Sequence, residues 1–233
     1  MAFLVLEGLD GSGKSTQNRL LRGYLDEKNI KYKYLHFPRT GHGIFGELIA
    51  MFLRGELGKI GEVNPYLASL IYAADREDAK SSLEKWLSEG YMLLTDRYVI
   101  SNIAFQCAKL KTVEERQKLR EWIFHLEYTH YRIPRPNLNI YLDVPFEFTR
   151  EKLSGHRTGN EREYLRGSTD IHEADLDFQQ KVRQIYIEEA EKEGSLRLVS
   201  CHDEKRGMLK PEAIFSRLIT LLEDENFFSL NKK

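Results

Sequence analysis

Between the apolar run Phe3-Leu4-Val5-Leu6-Glu7 and the stretch Gln17-Asn18-Arg19-Leu20-Leu21-Arg22-Gly23-Tyr24-Leu25, whose apolar positions have helical spacing, lies Gly8-Leu9-Asp10-Gly11-Ser12-Gly13-Lys14-Ser15-Thr16. Strand, glycine-rich turn and helix, in that order, is the setting in which G-x-x-x-x-G-K-[ST] works as a phosphate-binding loop. Gly8, Gly11 and Gly13 let successive backbone N–H groups, with those of Ser12 and Thr16 nearby, converge on an anion, and the helix start adds the positive end of its dipole. Lys14 then reaches the β- and γ-phosphates, and the Ser15 hydroxyl can ligate Mg²⁺. The stretch therefore predicts binding of a nucleoside triphosphate and leaves open what receives the phosphoryl group.

The rest of the chain fits one domain built around that loop. Apolar runs at Ala2–Glu7, Tyr32–Phe37, Tyr91–Asp96, Leu138–Val144 and Leu196–Ser200 alternate with helical patterns over residues 1–233. Met92-Leu93-Leu94 and Leu138-Asn139-Ile140-Tyr141-Leu142 are mostly apolar on consecutive positions, as strands covered on both faces require. This predicts an α/β P-loop NTPase fold, a five-stranded parallel sheet with helices on both faces and its ligands at the strand C-terminal ends. Charged residues stand at those ends: Phe37-Pro38-Arg39, Asp96-Arg97-Tyr98 and Asp143-Val144-Pro145.

Lysine and arginine number 35 against 36 aspartates and glutamates, so no broad basic face for nucleic acid is expected. Cys107 and Cys201 are too few and too far apart for a disulfide framework or a zinc site, and read as buried thiols of a reducing compartment. The first strand starts at the N-terminus, leaving no room for a signal peptide. No apolar run approaches the ~20 residues of a membrane span. A soluble, cytoplasmic protein is expected.

One segment differs in composition. Ser154–Asp170 is polar, holds three glycines and the arginines Arg157, Arg162 and Arg166, and lies between two helical patterns. It reads as a mobile lid over residues 154–170 rather than a packed connection. Beyond it, Ala174–Glu193 has the spacing of an amphipathic helix with Leu176, Phe178, Val182, Ile185 and Tyr186 toward the core, and Pro211–Glu223 reads as a last helix. The tail Asn226-Phe227-Phe228 is expected to pack against the domain.

Several segments at fixed separations give the chain a wider resemblance. The loop Gly8–Thr16 with aspartate third, Phe37-Pro38-Arg39, Tyr72-Ala73-Ala74-Asp75-Arg76, Asp96-Arg97-Tyr98 with Ser101-Asn102, Phe105-Gln106, Tyr141-Leu142-Asp143-Val144-Pro145 and the arginine-bearing lid together resemble the thymidylate kinase family over nearly the full length, in the bacterial form whose lid carries the arginine. The resemblance implies ATP and Mg²⁺ as phosphate donor and metal, dTMP as acceptor, and a homodimer.

It also implies roles residue by residue. Asp10, a carboxylate costly beside an anion nest, would face the acceptor sugar's 3′-hydroxyl and a neighbouring arginine; the other reading is a turn residue bonding its own backbone. Asp96 can hold a magnesium-bound water and Arg97 can clamp the acceptor phosphate, or the two form a structural ion pair. Arg39 resembles a further phosphate ligand, although some relatives carry this arginine one residue later; surface exposure is the other reading. Tyr72 and Arg76 are four apart on the helical stretch Pro65–Leu87 and share a face. The resemblance assigns them to the thymine ring and its O4, with Asn102 at the base edge; alone, Tyr72 reads as a core aromatic. Phe37 and Ser101 belong to the same acceptor site, and Phe105 would lie under the sugar and exclude a 2′-hydroxyl. Gly11 stands where some relatives carry an arginine, so the positive charge on the transferred group would come from Arg157, Arg162 or Arg166.

Competing readings remain in view. A kinase for another nucleoside monophosphate, or for a deoxynucleoside, shares most of these features; the latter needs a base for a 5′-hydroxyl, and Glu7 is the local candidate. A GTP-dependent switch would select guanine with Asn-Lys-x-Asp after a late strand, and Asn231-Lys232-Lys233 is only the terminus. A non-catalytic protein of the same fold would have little need of Lys14, Asp96 and Arg97 together.

Overall fold

In the computed structural model, which describes residues 2–154, 160–192 and 194–231, five strands form one parallel sheet. They are β1 (Phe3–Glu7), β2 (Tyr32–His36), β3 (Met92–Asp96), β4 (Leu138–Asp143) and β5 (Leu196–Ser200), in the order β2-β3-β1-β4-β5. The last strand has the bounds expected from its sequence, and each of the other four is one residue shorter. Every residue of β1 and β3 is buried, which explains their unbroken apolar runs.

Alternation along β1 divides the core in two. Phe3 and Val5 point to a cluster with Leu83 of α3 (Pro65–Ser88), Ile103 of α4 (Val99–Cys107), Leu119 of α5 (Val113–Phe124) and Tyr186 of α8 (Leu176–Lys192). Leu4 and Leu6 point the other way, to Leu21 and Leu25 of α1 (Lys14–Glu27) and Leu218 of α9 (Pro211–Asp224). Full burial of each such leucine is worth about 1.5–3 kcal/mol, so both faces of the sheet are strongly held. Phe227 of the tail is buried in the second cluster and Phe228 lies 5.7 Å from the Tyr24 ring. Both cysteines are buried, and desolvation pushes their thiols up to about 12.

Local chemistry sets the helix ends near the site. Asn64 caps α3 by accepting from Tyr66 N, with Pro65 in the first turn, and Thr112 and Glu115 form a capping box at α5. After Phe124, α5 continues as a π-helical turn, His125–His130, which carries the fully buried Glu127.

One helix boundary is corrected. The helix expected over Ala174–Glu193 runs from Leu176 to Lys192 as α8: Ala174 instead closes a short α7 (Ile171–Ala174) capped by Asp170, and Asp175 separates the two and caps α8 by accepting from Phe178 N at 2.9 Å. Aspartate favours a helix start over a helix interior, and here it overrides the periodicity. Part of the segment read as a lid lies among the described residues. After a 3₁₀ turn, Asn160–Leu165, Leu165 is buried and Tyr164 joins Phe52, Leu53 and Tyr72 in a third apolar cluster. Arg54, at the end of α2 (Gly43–Leu53), donates to Tyr164 O at 2.7 Å. Among the described residues no helix is long and apolar enough to cross a membrane.

Candidate active site

The loop after β1 takes the form its glycines require. Gly11 and Gly13 sit at φ 76° and 88°, in the left-handed region, and a Cβ at Gly8 would fall 2.6 Å from Ser12 Oγ. Lys14 Nζ donates to the carbonyls of Gly8 and Leu9 at 3.1 and 2.8 Å. Burial, helped by the nearby charge of Arg97, lowers the Lys14 ammonium to about 8 against the pull of Asp96, Asp10 and Glu7. A phosphate arriving at the loop would offer this amine a better partner than two carbonyls.

Asp10 does not bond its own turn. Its Oδ1 accepts from Arg97 Nη2 at 2.7 Å and its Oδ2 from Gln179 Nε2 at 3.0 Å. Burial works to raise this carboxyl, but Arg97 and Lys14 hold it well below the usual carboxylate range. Arg97, itself at φ 64°, also donates through Nη1 to Ser101 Oγ at 3.1 Å and lies 4.9 Å above the Phe105 ring. The alternative of an Asp96–Arg97 structural pair is thereby set aside. Asp96 instead faces His36 Nδ1 at 3.5 Å with one oxygen, and its buried Oδ1 has no partner.

A cavity of about 670 Å³ opens beside this cluster, and every acceptor-site residue expected from the sequence lines it: Asp10, Phe37, Arg39, Tyr72, Arg76, Arg97, Ser101, Asn102 and Phe105. At its far end Arg76 is clasped by Glu127, with Nη2 to Oε1 at 2.7 Å. Asn102 Nδ2 donates to the same Oε1 at 3.0 Å and to Ser69 O at 3.1 Å, which fixes its amide and leaves Oδ1 as a buried acceptor without a partner. Tyr72 is half-buried, edge-on to Phe52.

Arg39 lines the cavity but is pinned. Its backbone N and Nε donate to the Asp75 carboxylate at 2.9 Å each, and Nη2 donates to Asp75 O and Asp78 Oδ2. It is neither a loose surface group nor a free guanidinium. Arg166 pairs with Glu47 of α2 at 3.1 Å and is two-thirds exposed. Arg157 and the Arg162 side chain lie outside the described residues.

A family model described as thymidylate kinase matches residues 6–208. A probable thymidylate kinase of Pyrobaculum aerophilum is 34% identical over 83% of this chain and 85% of its own. Thymidylate kinase of Mycobacterium tuberculosis is 30% identical over 80% of this chain and 84% of its own. The chain belongs to the thymidylate kinase family. The solved structure of thymidylate kinase from Candida albicans shares its fold at a TM-score of 0.71 and 24% identity, covering 97% of this chain and 92% of that one. As a thymidylate kinase the protein transfers the γ-phosphoryl group of ATP to dTMP.

Some residues of this thymidylate kinase site were not read from the sequence. Gln179 joins Asp10 to the His172 carbonyl, and its place on the apolar face of α8, three residues before Val182 and seven before Tyr186, was a signal. Asp170 and His172 line the cavity. Burial raises the Asp170 carboxyl to about 7 and lowers the His172 imidazole to about 3, keeping that ring neutral among Phe52, Phe105 and Phe178. Glu127 carried no pattern, being a lone carboxylate in His125-Leu126-Glu127-Tyr128.

Proposed function

We propose that dTMP occupies the cavity with its base against Tyr72, Arg76 and Asn102 and its phosphate on Arg97, while the ATP phosphates lie on the loop Gly8–Thr16. One observation carries this arrangement: Asp10 belongs to the phosphate loop, is bonded to Arg97 on the next strand end, and both line the cavity. The donor and acceptor phosphates are thus brought to opposite sides of one ion pair. The Asn102 acceptor accepts the base N3–H, and the Arg76 guanidinium donates to O4. Phe105, with His172 behind it, closes the sugar side.

This chemistry needs no strong general base. The second pKa of a phosphate monoester is about 6, so the attacking oxygen is already ionised at neutral pH. The protein's part is to position two anions and neutralise the charge between them. Lys14 supplies one positive charge, and with glycine at position 11 the lid supplies another from Arg157, Arg162 or Arg166. Mg²⁺ fits the residues present, because the unpartnered Asp96 Oδ1 and the exposed Ser15 are hard oxygen donors beside the phosphate loop. Among the described residues no group of three or more His, Cys, Asp or Glu could form an all-protein metal cage, and a magnesium shared with phosphates and water does not require one. Held by Asp96 and Ser15, the ion would supply positive charge to offset that of the donor phosphates.

A nucleoside acceptor is disfavoured by Glu7, which is fully buried with both oxygens taken by Tyr98, Ser101 and Tyr186. The protein forms a homodimer through the outer face of α3, where Leu67 and Leu70 are exposed three residues apart. Coupled-assay velocities with ATP and Mg²⁺ test the acceptor. dTMP is expected as the best substrate and dUMP, which lacks one methyl group, as a real one about 10–200-fold poorer. Turnover of thymidine without turnover of dTMP would overturn the assignment, and a monomer in light scattering would remove the dimer.

A further inference from the structure

We propose that Tyr186 is a positioning residue for the acceptor phosphate: with Ser101 it passes the buried negative charge of Glu7 on to Nη1 of Arg97 and so fixes where that guanidinium points. The proposal rests on the reading of Arg97 as the ligand of the dTMP phosphate.

The hydrogen bonds can be accounted for atom by atom. Glu7 Oε1 accepts from the backbone N–H groups of Tyr98 and Ser101, at 3.0 and 3.3 Å, at the start of α4. Its Oε2 accepts from the Tyr186 hydroxyl at 2.8 Å and from the Ser101 hydroxyl. The two hydroxyl oxygens are themselves 2.6 Å apart, so with Glu7 Oε2 they form one hydrogen-bonded triangle. Each hydroxyl has one proton, and with both protons spent inside this triangle only lone pairs remain to face elsewhere. Those lone pairs meet Arg97 Nη1, at 3.1 Å from Ser101 Oγ and 3.5 Å from the Tyr186 oxygen. Nη2 is held directly by Asp10 at 2.7 Å. The guanidinium is therefore gripped at both ends, by a carboxylate on one side and by two hydroxyls polarised by a second carboxylate on the other.

The relay is rigid. Glu7 and Tyr186 are fully buried, and the Tyr186 ring lies on the Tyr141 ring of β4 at 4.4 Å and 25°. The sheet thus sets the height of the hydroxyl. Burial and the Glu7 charge also raise the phenol's pKa, so it stays a donor. Arg97 sits in the left-handed backbone region, directly after the end of β3. The network orients its side chain from α8, 89 residues away in the chain.

Tyr186→Phe keeps the ring and removes the hydroxyl. In the full-length protein the KM for dTMP is expected to rise roughly tenfold, the loss of a hydrogen bond to a charged group. The KM for ATP and the inhibition constant of thymidine, which has no phosphate, should stay within about twofold. In an Arg97→Lys background, where the ammonium cannot bridge both sides, the same change should add less than about twofold. An unchanged dTMP KM in Tyr186→Phe, equal weakening of dTMP and thymidine, or full additivity with Arg97→Lys each overturns the relay. An Arg97→Lys protein with normal dTMP KM overturns the assignment of Arg97 as well, which separates the two failures. If Tyr186→Phe does not fold, Ser101→Ala removes the other hydroxyl and is judged by the same measurements.

Discussion

The guanidinium of Arg76 and the carboxylate of Glu127, 51 residues apart in the chain, are joined in the interior by a two-fold hydrogen-bonded pair. Arg76 is 2% exposed and Glu127 not at all. Because Asn102 donates to the same carboxylate, one buried acid orients both groups assigned to the edge of the base. In the proposed arrangement Glu127 thereby couples recognition of the base to the stability of the fold.

That coupling has a measurable consequence. Arg76→Ala leaves Glu127 as an uncompensated buried charge, which should cost about 3–5 kcal/mol in urea unfolding. It should also raise the KM for dTMP far more than that for ATP. Adding Glu127→Gln removes the stranded charge, so the double variant should recover most of the stability without recovering dTMP binding. Equal losses toward dTMP and ATP would take Arg76 out of the base site.

Asp170 makes stability depend on pH. Its carboxyl titrates at about 7 in the folded protein, raised first by burial and then by Asp10, against a usual value of 3.8. Between those two values the folded state binds more protons than the unfolded state, so raising the pH through this window destabilises the protein. Asp170→Asn removes the titration and keeps a good helix cap. The unfolding free energy of the variant should therefore gain on that of the unmodified protein between pH 4 and pH 8, by an amount on the order of a few kcal/mol. A difference that stays flat over this range would show that the carboxyl titrates normally.

Lys14 separates turnover from folding. Lys14→Met keeps the aliphatic stem and removes a buried charge whose pKa is already depressed to about 8. Velocity with ATP and dTMP should fall by roughly 10³-fold or more, in line with loss of a charge that acts on the transferred group. The urea midpoint should not fall. Near-normal velocity would refute the role of the loop.

How far the sequence discloses all this depends on the kind of residue. The phosphate loop is legible because its glycines are demanded locally, whereas the acceptor site is legible only through the family resemblance, because Tyr72 and Arg76 one helical turn apart read equally well as a core face. β1 and β3 are legible because burial on both faces forces an unbroken apolar run. The partners of those residues are not. Glu127 is brought to Arg76 only when α5 widens into a π-helical turn, and the grip of Asp75 on Arg39 forms only when the β2 end meets α3. Pairings of that range leave no local pattern. Gln179 and Tyr186 are the intermediate case, since a polar atom on the apolar face of α8 announces a buried partner without naming it.

The lid offers the last test. Arg166 is held to Glu47, which Arg54 also contacts at 3.1 Å, so α2 draws the described end of this segment toward the cavity mouth. Gly11 leaves that loop position without an arginine, and in the proposed function an arginine of the lid offsets charge on the transferred phosphoryl. Such a residue contributes on the order of 10³–10⁵ in rate. Among Arg157→Ala, Arg162→Ala and Arg166→Ala, at least one should lower kcat by that order while changing the KM for dTMP little, because its contact is made in the transition state. If it is Arg166, Glu47→Ala should raise the velocity, since the guanidinium would no longer have to leave a carboxylate to reach phosphate. Three alanine variants that each keep more than a tenth of normal kcat would show that the charge comes from elsewhere.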